Sequence, residues 1–126
     1  MSPEPYILYI EDERSIMELV EQALSLIGHK VIGSNSGRKG MRLMRERKPA
    51  LVLLDLMMPD FNGWDIFRQM KLDDMLADIP IIVVTAMVPE HDQIIIDKLP
   101  PADAYLTKPF DIETLLNLVQ THLKKA

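Results

Sequence analysis

Leu51-Val52-Leu53-Leu54-Asp55-Leu56-Met57-Met58-Pro59 is the stretch that decides the fold. Four Leu and Val residues run unbroken, bounded by Pro49 and Pro59, and end on a carboxylate. A run this short reads as a strand buried on both faces, as in a parallel sheet covered by helices. Such strands deliver their last residue to the sheet edge where open α/β folds place their ligands. Asp55 stands there, where a charge needs partners. Asp also favours caps and turns, and from this stretch alone the two readings weigh equally.

The 126 residues suffice for one domain over 1–126, with a core that needs no disulfide or metal staple. Hydrophobic residues make up 48% and charged residues 26%, a globular rather than a disordered composition. A net charge of -5 argues against direct binding to nucleic acid, which needs a surplus of Lys and Arg. Cysteine is absent, so there is no disulfide framework, thiol nucleophile or Cys-ligated zinc. Glu4 and Glu11 stand where a signal peptide would be basic and then apolar, and no apolar run approaches the ~20 residues of a membrane span. The expectation is a soluble, cytoplasmic domain with no membrane partner.

Upstream of the Asp55 strand, Tyr6 to Ile10 is β-branched and aromatic and predicts a first strand ending on Glu11-Asp12. A helix is predicted from about Arg14 to Ile27, its inner face drawn from Ile16, Leu19, Val20, Ala23, Leu24 and Ile27. Gly28 stands where a left-handed cap belongs. Val31-Ile32 predicts a short second strand, followed by a Gly-rich polar stretch from Gly33 to Gly40. Met41 and Met44 mark the inner face of a weaker second helix ending before Lys48-Pro49.

Downstream, Pro59 to Gly63 is a turn cluster. Ile66, Phe67 and Met70 give a third helix its buried side. Leu72 to Asp78 reads as a surface loop, with Asp65, Asp73, Asp74 and Asp78 solvated. Ile81 to Val84 predicts a fourth strand ending on Thr85, and about Pro89 to Leu99 a fourth helix stopped by Pro100-Pro101. Tyr105-Leu106 is a short fifth strand before Thr107-Lys108-Pro109. The last helix takes Asp111 as N-cap and Ile112, Leu115, Leu116, Val119 and Leu123 as its apolar face. Strands alternating with helices predict a single doubly wound (βα)5 domain, a central five-stranded parallel sheet with helices on both faces.

Each chemically notable residue then falls at the C-terminal end of a different strand: Glu11 and Asp12, Asp55, Thr85, and Lys108. Clustered carboxylates repel unless a cation joins them, and oxygen-only ligands favour Mg²⁺ or another hard ion. With Lys108 as a second positive charge and Thr85 as a neutral donor, the set suits a phosphoryl group on one of the acids. His29, His91 and His122 lie outside this set and read as surface residues. The nine methionines read mostly as core filler.

The pieces Ile10-Glu11-Asp12-Glu13, Leu54-Asp55-Leu56-Met57-Met58-Pro59 with Gly63, Val84-Thr85-Ala86, and Tyr105-Leu106-Thr107-Lys108-Pro109-Phe110 resemble a response-regulator receiver domain over nearly the whole chain. The resemblance implies strand order 2-1-3-4-5. It implies that Asp55 accepts a phosphoryl group from a sensor histidine kinase or phosphotransfer protein. Mg²⁺ would be held by Glu11, Asp12, Asp55 and the backbone carbonyl of Met57. Lys108 would contact phosphoryl oxygens, Thr85 and Tyr105 would move as a switch, and the Lys108-Pro109 bond would be cis. For Asp12 a helix N-cap is a competing role.

The sequence departs from the family where Pro100-Pro101 replace a glycine usual before the fifth strand. Met57 and Met87, two after Asp55 and Thr85, are bulky and apolar and predict slow self-dephosphorylation. Ile94-Ile95-Ile96 cannot all face the core, which points to a homodimer through the fourth-helix to fifth-helix face. Two rival readings are a pseudo-receiver that binds protein and ignores phosphate, and a Mg²⁺-dependent aspartyl phosphohydrolase. A flavin-binding flavodoxin-like protein is weaker, since no Ser/Thr-rich loop follows the first strand.

Overall fold

The computed structural model describes residues 4–58, 61–86 and 102–123. Five strands form one parallel sheet: β1 (Tyr6–Ile10), β2 (Lys30–Ser34), β3 (Leu51–Asp55), β4 (Ile81–Thr85) and β5 (Ala104–Thr107). Their order is β2-β1-β3-β4-β5, as the resemblance implies. β1, β3 and β4 are buried along their whole length, whereas the edge strands β2 and β5 are partly exposed. A two-residue ladder pairing Met57–Met58 with Phe61–Asn62 lies outside this sheet.

Strand alternation sends neighbouring residues to opposite faces, and each face has its own core. Leu8, Ile10, Val52, Leu54, Ile81 and Val83 pack with Met41, Met44, Ile66 and Met70, and so against α2 (Gly37–Glu46) and α3 (Gly63–Leu72). Ile7, Tyr9, Leu51, Leu53, Ile82 and Val84 pack with Val20, Leu24, Leu115 and Val119, from α1 (Arg14–Leu26) and α4 (Ile112–Leu123). Helices therefore cover both faces. The expected helix over 89–99, Ile94-Ile95-Ile96, Met87, His91 and Pro100-Pro101 lie outside the described residues.

α1 ends as Gly28 predicts. Gly28 adopts φ +88°, its N–H reaches Ser25 O at 3.0 Å, and His29 N–H reaches Leu24 O at 2.9 Å. This double closure satisfies two carbonyls that the last turn would leave orphaned. The inner face of α1 is narrower than its apolar pattern implies: Leu19 is 51% exposed and Ile27 is exposed too. A helix lying on a sheet buries a limited stripe, and Val20 and Leu24 occupy its centre.

The stretch expected as a Gly-rich loop, Gly33 to Gly40, is mostly ordered secondary structure. β2 runs on to Ser34, and Ser36 opens α2 by accepting Lys39 N–H at 3.1 Å. Gly40 lies inside α2, where the helix crosses β1 closely; a Cβ would lie 2.6 Å from Ile10 Cδ1. The Leu72–Asp78 loop is more structured than expected. Leu76 and Ile79 enter the core, Asp78 pairs with Lys48 at 2.7 Å, and Asp65 pairs with Arg68. His122, read as a surface residue, is only 8% exposed, since it follows Leu115 and Val119 at helical spacing on the inner face of α4.

Candidate functional site

The register of the sheet assembles the site. Ile10 pairs with Leu54, so Glu11 and Asp55 emerge side by side from β1 and β3. Asp55 pairs with Val84 and Thr85 with Thr107, which brings Thr85 and Lys108 to the same edge. The chain leaves β1 toward β2 and returns at β3, so the crevice between their C-terminal ends is the switch point where doubly wound sheets bind ligands.

Glu11, Asp12 and Asp55 each offer a carboxylate oxygen to a group whose atoms all lie within 4.8 Å of one another. Glu11 and Asp55 are buried and Asp12 is exposed. Lys108 Nζ lies 2.7 Å from Glu11 Oε1, 3.1 Å from Asp55 Oδ2 and 3.4 Å from Glu13 Oε1. The other Asp55 oxygen, Oδ1, accepts the Met57 N–H at 2.9 Å. An open cleft of about 280 Å³ lined by Glu11, Asp12, Arg14, Asn35 and Lys39 adjoins the cluster.

These contacts set the protonation of the site. Burial pushes the Asp55 carboxyl up to about 6, and the negative charge of Glu11 adds to the rise. Burial acts on Glu11 in the same direction, but hydrogen bonds from Lys108, Tyr9 and the Glu13 backbone outweigh it and hold Glu11 below the usual range. Burial would lower Lys108, but Glu11 and Asp55 together raise it, so its ammonium stays charged. Burial, with Glu11 beside it, raises Asp12.

Asp12 does not cap α1. The cap position is Glu13, whose side chain makes no capping hydrogen bond, so Asp12 is left for the cluster. Thr85 is buried, and its carbonyl accepts the Lys108 N–H at 2.9 Å. Tyr105 is half-buried against the α2 and α3 core, and its hydroxyl accepts the Ala102 N–H at 3.1 Å. The Lys108-Pro109 peptide is cis. Gly63 packs against the end of β3; a Cβ there would lie 2.4 Å from Asp55 O and 2.6 Å from Leu56 Cα.

Two contributors escape the sequence reading, Glu13 and Tyr9. Tyr9 donates its hydroxyl to Glu11 Oε1 at 2.8 Å. Period-two alternation carries the signal, since residues 9 and 11 point to the same side of an extended chain.

The family model described as the response regulator receiver domain matches residues 7–120. The chain belongs to this family. It is 38% identical over 117 residues to protein PilH of Pseudomonas aeruginosa, covering 93% of this receiver and 96% of PilH. It is 38% identical over 122 residues to the DNA-binding dual master transcriptional regulator RpaA of Synechocystis, covering 96% of this chain and 50% of RpaA. The receiver thus spans nearly all of PilH but about half the length of RpaA, and likewise of the phosphate regulon regulator PhoB of P. aeruginosa.

Solved structures agree. The signal receiver domain of a signal transduction histidine kinase from Syntrophus aciditrophicus matches with a TM-score of 0.87 at 26% identity, covering 98% of this chain and 92% of that one. A sensor protein from a Polaromonas species matches with a TM-score of 0.84 at 25% identity over 98% of both chains. Among the described residues, no helix of this receiver is long and apolar enough to cross a membrane.

Proposed function

We propose that this receiver, a single domain over 1–126, is a phosphoacceptor switch in which Asp55 takes a phosphoryl group from a phosphohistidine of a sensor kinase or phosphotransfer protein. The single observation that carries the reading is Lys108, which bridges Glu11 and Asp55 beside the exposed Asp12. Three carboxylates against one ammonium leave the cluster net negative, all its donors are oxygens, and one of its acids is open to solvent. That donor set fits a hard divalent ion such as Mg²⁺. Glu11, Asp12, Asp55 and the backbone carbonyl of Met57 would hold it, Glu11 directly or through water. When bound, Mg²⁺ supplies charge neutralisation to the phosphoryl oxygens.

An Asp55 carboxylate oxygen attacks phosphorus in line with the leaving imidazole. The new bond is the acyl phosphate P–O; the P–N bond breaks and its electron pair stays on the imidazole nitrogen. Lys108, already within reach of Asp55, compensates the charge on the transferred group. The Met57 N–H holds Asp55 Oδ1 and fixes the orientation of the nucleophile. Thr85 stands at the same edge and would donate to a phosphoryl oxygen, while Tyr105 follows inward. Phosphorylation then biases an existing two-state equilibrium, and the product is a signal rather than a released metabolite. A soluble, cytoplasmic setting suits such a partner.

The test is incubation with acetyl phosphate, with and without Mg²⁺, following intact mass and Trp64 fluorescence. The expected result is a Mg²⁺-dependent gain of one phosphoryl group that Asp55→Asn abolishes. Phosphorylation that survives Asp55→Asn, or no adduct and no Mg²⁺ response in the wild type, would overturn the reading.

A further inference from the structure

Tyr9 is wholly buried, with its ring in the core beneath α1 and α4, yet it carries a hydroxyl into that core. A buried hydroxyl is costly unless it is paired. Its partner is Glu11 Oε1 at 2.8 Å, on a side chain that is itself fully buried. The same Oε1 also receives Lys108 Nζ at 2.7 Å. Among the described residues, the donor that reaches Oε2 is the Glu13 N–H, at 3.2 Å. The two oxygens of Glu11 are therefore unequal, one engaged by two strong donors and the other by one long contact.

From this asymmetry we propose that Tyr9 is a positioning residue, which pins Glu11 Oε1 to Lys108 and leaves Oε2 as the oxygen offered to a cation. The inference rests on the phosphoacceptor reading and deepens it. Glutamate has one more rotatable bond than aspartate, so at the mouth of a cluster it has more positions to lose on binding. Tyr9 removes that freedom in advance, because residues 9 and 11 project to one side of the strand and the phenol spans the added length. Partners that orient a metal ligand from behind typically change metal affinity by 10–100-fold when removed.

The experiment measures Mg²⁺ dissociation constants by calorimetry on the full chain, for wild type, Tyr9→Phe, Glu11→Asp and the double variant. Tyr9→Phe keeps the buried ring and removes only the hydroxyl. The expected result is a loss of about tenfold in Mg²⁺ affinity. In the Glu11→Asp background, where the shorter carboxylate falls short of the hydroxyl, the same change should shift affinity less than about twofold. A loss of equal size in both backgrounds, or no loss with Glu11 present, overturns the proposal.

Phosphorylation by acetyl phosphate separates positioning from a general weakening of the core. With Tyr9→Phe, the Mg²⁺ concentration for half-maximal rate should rise in step with the dissociation constant, and the rate at saturating Mg²⁺ should stay near wild type. A fall in the saturated rate as large as the fall at low Mg²⁺ would make Tyr9 a packing residue and sink the idea. If wild type itself neither binds Mg²⁺ nor takes a phosphoryl group, the functional reading fails and takes this inference with it. A normal wild type beside a silent Tyr9→Phe overturns the role of Tyr9 alone.

Discussion

Lys108 Nζ lies 3.1 Å from Asp55 Oδ2, joining residues fifty-three positions apart and reaching past β4, which lies between their two strands. The same ammonium holds Glu11 Oε1 at 2.7 Å. One cation thus offsets two buried acids, which makes it the electrostatic keystone of the site before any metal or phosphoryl group arrives.

Removing that cation leaves Glu11 and Asp55 facing each other without compensation. Breaking a buried ion pair from one side costs about 3 kcal/mol. Lys108→Met should therefore lose stability of that order at pH 7 in EDTA. The loss should shrink as pH falls below 6 and Asp55 takes up a proton. Urea unfolding at pH 5 and pH 7 measures both; a loss that stays the same at the two pH values would place the role of Lys108 in packing instead.

The Asp55 carboxyl gives a second prediction, again for the metal-free protein. Its folded value of about 6 lies above the ordinary 3.8, so its ionisation is opposed by folding. The contribution of the protonated form is fully present below about pH 4 and is lost as pH rises through 6, roughly 2–3 kcal/mol in all. Glu11, held low, works in the opposite sense: its contribution is present above the ordinary glutamate range and is lost as pH falls through its folded value. The difference between Asp55→Asn and wild type isolates Asp55. The Asp55→Asn variant should match the wild type near pH 4 and be the more stable protein by pH 7. Parallel unfolding curves in EDTA from pH 4 to 8 would contradict this.

The sheet and its helices were legible because burial on both faces writes unbroken apolar runs at β3 and β4, and a single inner face writes helical spacing at α3 and α4. The strand-end set was legible for the same reason, since each acid or base directly follows such a run. Where the reading failed, local signals competed. Gly40 looks like a loop residue, but it serves a close crossing between α2 and β1. Leu19 looks like core, and only the width of the helix–sheet contact shows that it is not. His122 looks like a surface residue by type, but its place on the inner face of α4 buries it. The contacts of Lys108 with Glu11 and Glu13, and of Tyr9 with Glu11, depend on side-chain reach, which spacing along the chain does not specify.

Gly63 and Gly28 should respond differently to alanine. At Gly28 a Cβ meets nothing within 4 Å, and the cost is the left-handed φ of +88°, about 1–2 kcal/mol. At Gly63 the clash is with backbone, Asp55 O at 2.4 Å and Leu56 Cα at 2.6 Å, so no side chain can yield. Gly63→Ala should cost about 1–3 kcal/mol and also displace the acceptor. Both variants should lower the midpoint of urea unfolding, but only Gly63→Ala should slow phosphorylation at saturating Mg²⁺. Equal phosphorylation rates in the two variants would show that Gly63 does not position Asp55.

Met57 stands two residues past Asp55 and is 67% exposed, with its backbone N–H committed to Asp55 Oδ1. A thioether is at most a weak acceptor and has no donor, so the side chain at this position cannot hold a water in line with an acyl phosphate. A carboxamide can, and orienting the attacking water would speed hydrolysis. Met57→Asn should therefore lose its phosphoryl group several-fold faster than wild type, while the rate of phosphorylation changes little. Intact mass followed after removal of acetyl phosphate reads the two decay rates directly. Rapid decay already in the wild type, left unchanged by Met57→Asn, would show that water reaches the phosphoryl group by another route.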